Sequence, residues 1–245
     1  MFSILKFSLL VRIASAINLQ VASSGGNASS PLAYGLMFED INHSGDGGIY
    51  AELIQNRAFQ GSAVHPPTLD PWTPIGDASL SLHNATTPLS SALPTSVQVT
   101  STGAGTVGLS NPGWWGIDVQ AQEYTGSFWV LGAYSGKFTV KLQSNSTSKV
   151  FAETTIASAC KSSEWVEHKF TLTPKAAAPN SNNDFIIEYE AGEAVLNFNL
   201  ISLFPPTYKN RKNGNRVELM EALKALNPSF LRMPGGNNLY VSFAI

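Results

Sequence analysis

The sequence predicts an α/β fold interrupted by an all-β domain, and three observations carry that expectation. A buried-strand pattern, a polar turn and a helical stripe follow one another across residues 31–61. Short alternating segments separated by turn clusters then run from about residue 72 to 203 without useful helical periodicity. After Pro205-Pro206 a helical stripe and a second buried strand return. The β domain is therefore read as an insertion.

The chain opens with "MFSILKFSLLVRIASA". Lys6 gives a positive start, an apolar stretch follows, and Ala14-Ser15-Ala16 is a small-x-small cleavage site, so residues 1–16 are expected to be a signal peptide. Arg12 interrupts the apolar stretch, and a buried strand or helix is the competing reading. Sequons at Asn27, Asn42, Asn84 and Asn145 agree with a secreted, extracellular glycoprotein. Beyond the leader no stretch reaches the ~18 apolar residues of a membrane span. A net charge of −2 gives no basic footprint, which argues against nucleic acid. Cys160 is the single cysteine, read either as a buried inert thiol or as one whose partner is missing. No cluster with metal-ligand spacing is visible, and no cofactor is expected.

In residues 17–30, "INLQV" alternates like an edge strand and "ASSGGNASS" is a connector. Residues 31–71 read as the first βα unit. "PLAYGLMF" suits a strand buried on both faces and stops at Glu39-Asp40. Asp46 is placed to cap a helix with Ile49, Tyr50, Leu53 and Ile54 on one face.

Residues 72–205 read as a β-sandwich built from "SVQVTST", "WGIDV", "GSFWVLGAYS", "KFTVKLQS", "WVEHKFTLT", "DFIIEYE" and "VLNFNLISLF". An extended "NPGWWGIDV" would put Trp114 and Trp115 on opposite faces, leaving one free as a sugar-stacking platform, whereas Trp129 and Trp165 are expected in the core. In residues 206–239, Asn215 with Glu218 forms a capping box. It opens a helix with a stripe of Val217, Met220, Leu223 and Leu226, which Asn227-Pro228 stops. "SFLRM" is then a buried strand delivering Pro234-Gly235-Gly236 into a loop.

Glu39 and Arg232 each sit where a buried strand hands over to a loop. In a parallel α/β barrel such positions form the face where active sites lie. A carboxylate that accepts and a guanidinium that donates could grip the hydroxyls of a sugar, and Asn237 could do both. A structural Glu–Arg pair tying two strands together is the competing reading.

The segments "YGLMFEDINHSGDGGIYAELIQNRAFQG" and "LRMPGGNNL" resemble the two N-terminal signatures of α-L-arabinofuranosidases of glycoside hydrolase family 51, in their fungal form. The resemblance implies an incomplete (β/α)8 barrel with a jelly-roll sandwich, similar to carbohydrate-binding modules of families 4 and 9, inserted after the first βα unit. It implies that residues 17–21 belong to a C-terminal β-sandwich outside the chain. It also implies retaining hydrolysis of terminal α-L-arabinofuranosyl groups, with an arabinose-containing polysaccharide or oligosaccharide as partner. Glu39, Arg232 and Asn237 fall on substrate-binding positions of the signatures. A non-catalytic secreted carbohydrate-binding sandwich is the alternative.

Retaining hydrolysis needs two carboxyl groups ~5 Å apart. The resemblance places both on later barrel strands, beyond residue 245. Glu123, Glu153, Glu164, Glu167, Glu188, Glu190 and Glu193 all lie in the insertion. Residues 240–245 depart from the signature, and Tyr240-Val241-Ser242 can be encoded across a splice-donor sequence. The chain is thus expected to be a fragment, from an unspliced or truncated reading of the gene, that is inactive alone. A naturally short protein is the competing reading.

Overall fold

The computed structural model describes residues 19–101, 103–192 and 195–233. The expected leader, Asn237, Glu193 and the divergent tail lie outside the described residues. Its bulk is a sandwich of two antiparallel five-stranded sheets. The strands are β2 (Thr73–Ile75), β3 (Ala78–Asn84), β4 (Thr95–Ser101), β5 (Thr106–Asn111), β6 (Tyr124–Leu131), β7 (Lys137–Ser144), β8 (Val150–Ala157), β9 (Val166–Leu172), β10 (Asn183–Glu190) and β11 (Leu196–Phe204). One sheet runs β2-β5-β10-β7-β8 and the other β3-β4-β11-β6-β9.

Alternation makes these strands. In β7, Phe138, Val140 and Leu142 point inward while Thr139, Lys141 and Gln143 stay nearer solvent. Phe128, Phe138 and Phe198 meet between the sheets at centroid distances of 5.3–6.0 Å, and each such buried ring contributes about 1.5–3 kcal/mol through removal from water. His168 lies among them. Its Nδ1 donates to Val166 O, which leaves Nε2 to accept from Ala159 N. Burial pushes this imidazole below its usual value, which keeps it neutral in the core. Cys160 is half-buried, 3.9 Å from His168 Nε2, and burial pushes its thiol up, in line with an inert cysteine.

Several expectations need correction. "WGIDV" is not a strand: Gly113 and Gly116 adopt φ of +71° and +84°, turning the chain into a loop. Trp129 and Trp165 are half-buried rather than core, and the indole of Trp165 donates to Thr87 O. Residues 17 and 18 of the expected edge strand lie outside the described residues, and Leu19 and Val21 are exposed. The helix expected from Asp46 does not form either. Residues 45–49 make a wide turn in which Gly47 has φ +85°, and residues 51–54 continue as an irregular buried segment.

That segment has a specific place. Strand β4 pairs with β11 only at Leu196, Asn197 and Phe198. Beyond it β11 carries an irregularity between Asn199 and Ser202, with Leu200 at φ +45°. The edge left open past this bulge is filled by residues 52–57. Leu53 N donates to Leu203 O, Ile201 N donates to Arg57 O, and Leu203 N donates to the Glu52 carboxylate at 2.8 Å. Glu52 is buried, and it also accepts from Ile54 N, Ser202 Oγ and Arg57. Leu53, Ile54 and Phe59 join Trp72 in closing one end of the sandwich core.

Outside the sandwich, β1 (Leu36–Met37) and β12 (Leu231–Arg232) form a parallel pair, and α1 (Val217–Ala225) precedes β12. The expected side-chain cap on α1 is absent. Asn215 sends its amide to Met220 Sδ, and the N-cap is Arg216, whose Nε donates to Gly48 O.

Replacing Glu52 by Ala strands the amides of Leu203 and Ile54, and a loss of about 3 kcal/mol or more is expected in urea unfolding. Burial raises the Glu52 carboxyl above its ordinary value of 4.5, outweighing the hydrogen bonds and Arg57, which lower it. The folded chain then holds this proton more tightly than the unfolded chain. Its stabilising contribution is whole below pH 4.5 and is lost as pH rises through the folded-state value. Unfolding of wild type and Glu52→Gln between pH 4 and 8 should show the difference, wild type minus variant, falling with pH. A flat difference would contradict the assignment.

Candidate functional site

The parallel pair brings two distant stretches of the chain together in space. Leu36 stands opposite Leu231 and Met37 opposite Arg232, and Phe38 N extends the ladder by donating to Arg232 O at 3.0 Å. Both strands run the same way, so Glu39 and Arg232 emerge at the same end of the pair. By the alternation of an extended chain, Glu39 returns to the face that Met37 shares with Arg232. The sequence expected this pairing of strand ends, although the entire sandwich lies between them in the chain. Glu39 is half-buried and Arg232 exposed.

The turn after Glu39 is tightly organised. Ser44 Oγ donates to Glu39 O at 2.5 Å, and Asp40 Oδ1 accepts from Gly45 N at 2.9 Å. Gly47 is required for two reasons: its φ of +85° disfavours other residues, and a Cβ there would stand 2.7 Å from the indole of Trp114. His43 leans on the same indole, with centroids 4.7 Å apart. The neighbouring Trp115 donates its indole N–H to Gly47 O at 2.9 Å and leaves its ring 67% exposed. One tryptophan packs and the other is displayed, but the segment is a loop, so the alternation argument for Trp114 and Trp115 does not apply.

A cleft of 660 Å³ lies here between the wide turn, the tryptophan loop and the first turn of α1. Sequence reasoning missed its polar rim of Asp118, Gln120 and Gln122, because these residues were assigned to a strand or ignored as loop. Glu52 was missed as well. The only signal available was a single carboxylate inside the run Ala51-Glu52-Leu53-Ile54 with Arg57 five residues on. Among the described residues no group of three or more His, Cys, Asp or Glu side chains is placed to hold a metal ion, and no helix is long and apolar enough to cross a membrane. The sequon residues Asn27, Asn42, Asn84 and Asn145 are all exposed.

No family model matches the chain. It is 42% identical over 240 residues to a probable α-L-arabinofuranosidase A of Aspergillus terreus, a match covering 96% of this chain and 37% of the relative. The α-L-arabinofuranosidase A of Aspergillus niger is also 42% identical, over 94% of this chain and 37% of that protein. A solved arabinose-bound α-L-arabinofuranosidase of glycoside hydrolase family 51 superposes with a TM-score of 0.75 at 43% identity, over 85% of this chain and 35% of that one. A plant relative, α-L-arabinofuranosidase 1 of Arabidopsis thaliana, is 33% identical over 90% of the chain. The chain thus spans little more than a third of the length of the curated arabinofuranosidases it matches.

In this arabinofuranosidase-like chain, Gly47→Ala should displace Trp114 and loosen the hold on Trp115, costing about 1–3 kcal/mol in urea unfolding. Acrylamide should then quench the tryptophan emission more strongly than in wild type. Unchanged stability and quenching would show that the turn tolerates a side chain.

Proposed function

We propose that the chain supplies the N-terminal part of a secreted retaining α-L-arabinofuranosidase that removes terminal α-L-arabinofuranosyl groups from an arabinose-containing polysaccharide or oligosaccharide. In this reading β1 and β12 are the first two strands of a (β/α)8 barrel and residues 72–205 are its inserted sandwich. The observation that carries it is the parallel register of β1 with β12, which puts Glu39 and Arg232 at one strand end. The relatives named above support the activity.

The division of labour follows from the chemistry. A half-buried carboxylate at Glu39 accepts from sugar hydroxyls, while Arg232 and Asn237 donate to them, fixing the furanose before bond cleavage. The acid that protonates the leaving oxygen and the carboxylate that attacks the anomeric carbon are assigned to sequence outside these 245 residues. Four of the sandwich glutamates have other engagements: Glu188 pairs with Lys141, Glu164 with Lys161, Glu167 with Lys169, and Glu190 accepts from Thr106.

The test is a chimera in which residues 17–239 replace the matching N-terminal portion of the Aspergillus niger relative. It is expected to hydrolyse p-nitrophenyl α-L-arabinofuranoside, and Glu39→Ala and Arg232→Ala should each lower kcat/KM about 100-fold, the loss of one charged hydrogen-bond set to the sugar. A folded chimera without activity, or one indifferent to both substitutions, refutes the reading. A non-catalytic sugar-binding role is favoured by one observation, the displayed ring of Trp115.

A further inference from the structure

The cleft beside the wide turn has a composition that the pairing of Glu39 with Arg232 does not explain. Its floor is the exposed face of Trp115, the only tryptophan among the large apolar side chains exposed in the described residues. The indole N–H is already committed to Gly47 O, so the ring is held by its edge and its face is left available. His43 stands edge-on to the ring of Trp115 at a centroid distance of 6.0 Å, and Trp114 is wedged against Gly47 and His43.

The rim is polar and internally braced. Gln120 Nε2 donates to Asp118 Oδ1 at 2.8 Å, Gln122 Nε2 donates to Tyr124 OH, and that hydroxyl donates to Asp118 O. On the opposite wall stand Arg216, anchored on Gly48 O, and Glu218. The cleft therefore offers a rigid aromatic plane beside amide, carboxylate and guanidinium groups of both signs. Such a surface suits a neutral ligand with one apolar face and many hydroxyls at its edge.

We propose that this cleft is a subsite for a pyranosyl unit of the polysaccharide main chain, with Trp115 as the stacking platform. An equatorially substituted pyranose such as xylose presents a flat face of C–H bonds to an indole and turns its hydroxyls outward towards groups like Asp118 and Gln120. A puckered furanose presents no comparable face. The subsite therefore selects an arabinose-bearing xylan over an arabinan, whose main chain is furanosyl. It is tied to the strand end by one short turn, since Gly47 holds Trp115 while Ser44, three residues earlier, holds the Glu39 carbonyl. This choice of substrate class rests on the arabinofuranosidase reading, whereas pyranose stacking on Trp115 does not.

Affinity electrophoresis and calorimetry of the 245-residue chain test the proposal against arabinoxylan, xylohexaose and linear arabinan. Wild type should bind arabinoxylan and xylohexaose and bind arabinan more weakly. Trp115→Ala should weaken xylan binding about tenfold or more with unchanged thermal unfolding, while Trp165→Ala on a different loop contact retains it. Xylan binding indifferent to Trp115, or absent in wild type, overturns the proposal, and tighter binding to arabinan overturns its pyranose selectivity. Trp115-dependent xylan binding alongside an inactive chimera would sink the enzyme reading alone. An active chimera whose chain binds xylan equally well without Trp115 would sink the subsite alone.

Discussion

A buried carboxylate standing in for a strand partner is the constraint on which this architecture depends. Strand β11 outlasts its neighbour β4, so its amides at Ile201 and Leu203 would face no acceptor. Arg57 O takes the first and Glu52 takes the second. A buried amide without a partner costs about 1–3 kcal/mol, so the contact selects one path for the chain between β1 and the sandwich. Glu52 suffers desolvation in this position, and only its several donors make the burial tolerable.

The consequence reaches the candidate site. Residues 51–57 are locked to β11, and residues 39–48 run directly into them. Tyr50 packs edge-on against Phe204, and Arg216 reaches back to Gly48 O. The wide turn is thereby held between the sandwich and the start of α1, and the tryptophan loop closes over it. A single turn carries the attachments of both Glu39, through Ser44, and Trp115, through Gly47, although the two come from different parts of the sequence.

Much of this was legible in the residues. Strands β7 and β9 alternate cleanly, β10 and β11 fall at the expected apolar segments, and a helix stands at α1, although its stripe is not buried and Leu226 is exposed beyond its end. Strand β3, "ASLSLHN", alternates over only three small or medium apolar residues, Ala78, Leu80 and Leu82, and was passed over, while β5, "TVGLSN", is interrupted by Gly108. The false helix at residues 46–54 has a different cause. Ile49, Tyr50, Leu53 and Ile54 have helical spacing, but Ala51 and Glu52 between them are buried too, so the segment has no solvent face and the helical period carries no information. A carboxylate in the middle of that run reads as the polar side of a helix until its partners on β11 are seen. The strand ends at Glu39 and Arg232 were visible from sequence, whereas the cleft at Trp115 needed the loop geometry set by Gly113 and Gly116.

Native-state hydrogen exchange at Leu53, Ile201 and Leu203 tests the central claim most directly. If residues 51–57 complete the sandwich through Glu52, these amides open with the same free energy as Val140 and Phe185 in the sheet core. If they exchange through a far cheaper local opening while the core stays protected, the segment is a loosely tethered linker. Glu52 would then not hold the candidate site in place.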